Sequence, residues 1–131
     1  QYGGVKVYEF PEGLITVLGA VIDGAVTLGT TGTITNTWAG GIALGTATAT
    51  TGNTLTGTEA DIMAENNVAA ATSKVAACDA VSTAVAVLNG TAAAKACYLN
   101  LVVDDDASHT AGTGSFTGTV TLLWAKGADA A

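Results

Sequence analysis

The amino-acid sequence predicts an all-β fold, a β-sandwich of jelly-roll or Greek-key type with one short helix near residues 58–65. Three observations carry the prediction. Apolar and polar residues alternate along several segments, as in residues 116–124, where Phe116, Gly118, Val120, Leu122 and Trp124 share one face and Thr117, Thr119 and Thr121 the other. Turn-forming pairs separate these segments at short intervals. The apolar residues make up 49% of the chain but the aromatics only 5%, so the core is built from thin layers of Ala, Val, Leu and Ile. At 131 residues the chain fits one domain with a core of its own. Residues 1–7 are assigned to an N-terminal arm or edge strand, 8–126 to the sandwich and 127–131 to a C-terminal tail.

The predicted elements follow in order. Residues 5–10 (VKVYEF) form a strand that ends at the turn Pro11-Glu12-Gly13, and residues 14–22 (LITVLGAVI) form the next, closed by Asp23-Gly24. Short strands are expected in AVTLGT, GTITNTW and IALGTATAT, with Gly40-Gly41 and Thr51-Gly52-Asn53 as breakers. Thr56 followed three residues later by Glu59 has the capping-box spacing, which is the basis for the short helix. The alanine-rich NNVAAATSKVAACDAVS is ambiguous between helix and strand and is expected to be an irregular crossing. Residues 83–89 form a strand ending in Asn89-Gly90, the strongest hairpin signal in the chain. In residues 97–103, Cys97, Leu99, Leu101 and Val103 lie opposite Tyr98, Asn100 and Val102, so that strand is expected to be covered on both faces.

Composition excludes several functions. Four lysines, no arginine and eleven acidic residues give a net charge of −7. Such a surface repels nucleic acid and anionic membrane. No run approaches the ~20 apolar residues of a membrane-spanning helix. The opening QYGGVKVYEF lacks the basic head and leucine-rich segment of a secretory signal, and a processed or incomplete start is left open. Cys78 and Cys97 would allow one disulfide, but both sit among alanines, where free cysteine acts as a small buried hydrophobe.

The acidic stretch DDDASHTAGTG is the first place to look for chemistry. Asp104, Asp105 and Asp106 supply carboxylates of the kind Ca²⁺ takes, yet consecutive strand residues point to opposite faces and the alternating EF-hand pattern is absent. His109, with Ser108 or Ser115, lacks the setting of a catalytic triad. The stretch is therefore read as a solvated hairpin tip. Two cysteines and one histidine do not make a zinc site. GTGSFTG leads into a strand instead of opening a helix, so it is no dinucleotide fingerprint. Asn89-Gly90-Thr91 matches a glycosylation sequon but is explained by its turn. No residue is singled out as catalytic, cofactor-binding or metal-ligating, and the chain is read as a protein that is not an enzyme.

The order of four motifs is informative. YEFPEGLITVLGA (residues 8–20), LTGTEADIM (55–63), NGTAAAKACYLNLVVDDDASH (89–109) and GTVTLLW (118–124) together resemble a family of small tailed-bacteriophage proteins encoded near the major capsid protein, the capsid decoration or cement proteins. The resemblance implies a β-sandwich on the outer surface of the virion capsid, made in the host cytoplasm. It implies the major capsid protein as partner, a homo-oligomer with a trimer favoured, and no cofactor, nucleic acid or membrane. The arm's Gly3-Gly4 permits bending beside Tyr2 and Val5. Tyr2, Val5 and Tyr8 are accordingly the candidate contacts to a neighbour or the capsid. The alternative function is a carbohydrate-binding or adhesive β-sandwich on a virion or cell surface, which would expose its aromatic residues.

Overall fold

Buried and exposed side chains alternate from Gly13 to Leu28, and this stretch is one sixteen-residue strand, β2 (Gly13–Leu28), around which the molecule is arranged. The computed structural model describes residues 2–29, 38–50, 52, 54–71, 73–103 and 114–127, which contain two antiparallel sheets. In the first sheet β1 (Tyr2–Glu9), β8 (Ala96–Val103), β3 (Trp38–Gly45) and β4 (Met63–Ala71) lie side by side in that order. In the second, β2 pairs along one edge with β9 (Gly114–Lys126). Along its other edge it pairs, end to end, with β7 (Ala86–Gly90), β6 (Ala80–Ser82) and β5 (Val75–Ala77).

The sheets pack face to face as a β-sandwich. Ile15, Val17, Ala20, Ile22, Val26 and Leu28 from the inner face of β2 meet Ile42, Leu44, Val68, Cys97 and Leu99 of the first sheet in one buried core. Phe116, Val120, Leu122 and Trp124 of β9 pack against it from one side and remain partly exposed. On the opposite side the chain runs from β4 into β5 and closes the sandwich, with Trp38 Nε1 donating to the Ser73 carbonyl at 2.7 Å.

Several local expectations give way to this packing. Asp23-Gly24 is no turn, because β2 runs straight through it. Gly24 is needed there for close approach: a Cβ would meet the Phe116 ring 2.8 Å away. Gly40-Gly41 likewise lies inside β3, where Cβ atoms would collide with the Val102 carbonyl and the Glu65 side chain. The short helix near residues 58–65 does not form. Glu59 Oε1 does accept from the Thr56 and Gly57 amides, both at 3.0 Å, as a capping carboxylate would. The turn stops there, because Ile62 donates its amide to the Leu44 carbonyl at 3.0 Å and Met63 pairs with Leu44, so strand pairing takes over.

The alanine-rich stretch, expected to be irregular, supplies β4, β5 and β6. Its small side chains fit an edge, and tertiary pairing overrides the helical propensity of alanine. Asn89-Gly90 ends β7 without making a hairpin, since β8 belongs to the other sheet. Asn89 Oδ1 instead accepts from the Thr91 amide at 3.2 Å and the Thr91 hydroxyl at 2.7 Å, a turn closed by the asparagine itself. The same topology corrects the reading of Asp104 to Asp106 as a hairpin tip. β8 and β9 lie in different sheets and do not pair, so the chain passes from one sheet to the other between Val103 and Gly114. Asp104, Asp105, Asp106, Ser108 and His109 themselves lie outside the described residues.

Candidate interaction surface

The two sheets differ in what covers their outer faces. Over the first sheet lie residues 46–50 and 54–62, held down by Asn100 of β8, which is fully buried. The Asn100 Oδ1 accepts from the Ala49 amide at 2.9 Å, and its Nδ2 donates to the Ala47 carbonyl at 2.9 Å and the Glu59 carbonyl at 2.8 Å. Under this cover Ala43, Ala49, Leu55 and Val102 form a second small core with Ala60 against it. Carboxylates reinforce it. Asp61 takes hydrogen bonds from the Thr46 amide at 2.8 Å and the Thr46 hydroxyl at 2.6 Å, and Glu65 accepts from the Leu55 amide. Glu59 is held below the usual carboxylate range by hydrogen bonds from its own backbone amide and from those of Gly57 and Thr56. These acids are occupied with holding backbone, which explains the two-sided burial of β8.

Over the second sheet the described residues place nothing. Cross-strand register puts Val21 opposite Val81 on one side and Thr121 on the other, Thr16 opposite Val87, and Gly19 opposite Leu123. With Leu14 and Leu18 these side chains make an exposed apolar face in which Val81 is 68% and Leu123 63% accessible. From their exposures the patch amounts to roughly 500 Å², toward the top of the ~300–600 Å² usual for the largest patch on a monomer. Charge gathers at one end of this face, where Asp23 lies beyond Val21 and Asp79, between β5 and β6, accepts from the Gly24 amide at 3.2 Å. A surface of this kind does no chemistry; its physical capacity is to adhere to another flat apolar surface, since burial is favourable in proportion to the area removed from water.

The third feature is the rim where β1 lies over β9. Tyr2, Val5 and Tyr8, the contacts expected from the sequence, all sit on β1 and are 53%, 57% and 40% exposed. They do not form one site. Tyr2 and Val5 line a cavity of about 350 Å³ with Val26, Leu28, Leu101 and Phe116, among others. Tyr8 lines a second cavity of about 320 Å³ with Val120, Leu122 and Trp124. Tyr8, Phe10 and Trp124 form an aromatic trio, Phe10 meeting both others edge-on at centroid separations of 5.1 and 5.5 Å. The ring planes of the trio are inclined to one another by 80°, 47° and 86°, and Trp38 is buried.

The sequence reading missed the outer face of the second sheet. A signal was available: VSTAVAV alternates valines, and the doublet Leu122-Leu123 puts a leucine on each face of β9. Cys78 and Cys97 are free and buried. Burial pushes both thiols up, that of Cys97 to about 12, which makes them poor nucleophiles near neutral pH. Among the described residues no group of three or more His, Cys, Asp or Glu side chains is placed to hold a metal ion. Comparison with protein-family models, with curated proteins and with solved structures finds no match to this chain.

Proposed function

We propose that the protein is a structural component of a tailed-bacteriophage virion, a decoration or cement protein that binds the outer surface of the capsid through the major capsid protein. A cement protein stabilises the assembled shell by binding it in preference to its free subunits, which requires surface and no reactive pocket. The observation that carries the reading is the asymmetry of the sandwich: β3 and β8 of one sheet are covered on both faces, while among the described residues nothing covers Leu14, Leu18, Val21, Val81, Val87 and Leu123 of the other. The order of the four phage-like motifs supports it. So does the net charge of −7, which keeps an apolar-faced protein soluble before assembly and away from packaged DNA.

The test is co-sedimentation with empty capsids of the source phage, alongside a glycan array. Saturable binding to shells is expected, with no glycan signal and with binding lost on Val81→Asp/Leu123→Asp. Glycan binding without shell binding would overturn the proposal in favour of a carbohydrate-binding sandwich.

A further inference from the structure

The sandwich has four strand edges, and three of them are blunted. Exposed edges pair with other chains unless they are short, charged, bulged or covered. β1 carries the Lys6–Glu9 ion pair at 2.7 Å and a register shift between Lys6 and Tyr8. β4 carries Glu65 and is bulged twice against β3. The edge formed by β5, β6 and β7 is broken into pieces of 3, 3 and 5 residues. Among the described residues β9 has none of these devices: it runs for 13 residues with no proline and no charge before Lys126, and the register shift in its ladder is absorbed by β2 at Leu18. Among the described residues it pairs with β2 alone.

We infer that this edge is an interface between two copies of the chain, β9 pairing antiparallel with β9 of the second copy about a two-fold axis at Val120. Like strands that pair antiparallel must place one residue opposite itself, and the composition of β9 is self-complementary about Val120. On the inner face Phe116 falls opposite Trp124 of the second copy, and Gly118, which has no side chain, opposite Leu122. On the outer face Thr119 falls opposite Thr121, a favourable cross-strand pair, and Thr117 opposite Leu123. Lys126 falls opposite Gly114 of the second copy, so no like charges oppose one another along the ladder. This symmetry also brings the cavity beside Phe116 against the cavity beside Trp124 of the second copy, closing a seam that the described residues leave open. Thirteen residues span about 43 Å. Across a two-sheet rim about 15 Å tall that is ~650 Å² per copy, within the range of specific dimers. The pairing is two-fold, in contrast to the trimer that the phage resemblance implies, and it does not depend on the shell-binding proposal.

Light scattering coupled to gel filtration of the full chain is expected to give twice the 12.8 kDa chain mass. Two double variants then test the register. Thr119→Lys/Thr121→Lys sets lysine against lysine and is expected to weaken the dimer at least tenfold. Thr119→Lys/Thr121→Glu sets lysine against glutamate and is expected to dimerise within a few fold of the parent. Both alter the same two exposed threonines, so a shared folding defect would strike them alike. A monomeric or trimeric parent overturns the inference, as do double variants that both dimerise or both dissociate.

Discussion

Replacing Asn100 by alanine removes the fastening between the first sheet and the segment that covers it. The truncation leaves three backbone groups without their partner: the Ala49 amide, in a buried bond, and the Ala47 and Glu59 carbonyls, in partly buried ones. An unsatisfied buried polar group costs about 1–3 kcal/mol, and water entering the vacated space recovers part of this for the two carbonyls, so the loss is about 3–5 kcal/mol. A domain of this length has a total stability on the order of 7–20 kcal/mol, so the variant is expected to fold with a reduced urea midpoint and a Tm lower by roughly 11–18 °C. Hydrogen exchange localises the effect, with the Ala49 amide losing protection while the amides of β2 keep theirs. Asn100→Asp sharpens the test. A carboxylate cannot donate to the two carbonyls, so this variant is less stable than the parent at neutral pH. Its deficit shrinks as acid protonates the group and restores a donor. A loss under about 0.5 kcal/mol in Asn100→Ala, with Ala49 protection intact, would refute the role given to Asn100.

Two further outcomes follow from the ionisable groups. The two cysteines are expected to ignore a thiol reagent in the native protein at pH 8 and to react fully, two per chain, in denaturant; one rapid native equivalent would show that either site is more open than described. Glu59 has a folded-state value below its unfolded one, so its contribution is present above the ordinary carboxylate range and is lost as pH falls through the lowered value. Glu59→Gln is therefore expected to lie below the parent in Tm at neutral pH and to converge with it on acidification, and parallel Tm profiles would refute the capping role.

Much of the architecture was legible in one dimension because a half-buried strand imprints a period of two on the chain. Residues 116–124 and 97–103 show it, and β9 and β8 form there. The turn pairs misled where glycine served another purpose. Gly24 and Gly40 sit inside strands because a ring or a carbonyl presses on them, and a glycine that admits a neighbour looks the same in sequence as one that bends the chain. The capping-box spacing of Thr56 and Glu59 points to a real contact, since Glu59 accepts from the Thr56 and Gly57 amides, but the helix expected after it does not form. Tyr2, Val5 and Tyr8, the contacts suggested by the sequence, are exposed, whereas the apolar face of the second sheet is not legible in one dimension, because it gathers residues from four strands far apart in the chain.

By itself, then, the sequence determined an acidic, arginine-free β-sandwich, since composition and alternation are properties of neighbours along the chain. Which sheet each strand joins, which outer face is covered and which edge lies open were decided only in three dimensions. Asn100 is one asparagine among several until its amide meets the backbone of residues 47, 49 and 59, and β9 is one alternating strand among several until its free edge has no neighbour in the described fold. Cover and exposure are relations between distant segments, set by which pairings bury the most apolar area and leave the fewest polar groups unmatched.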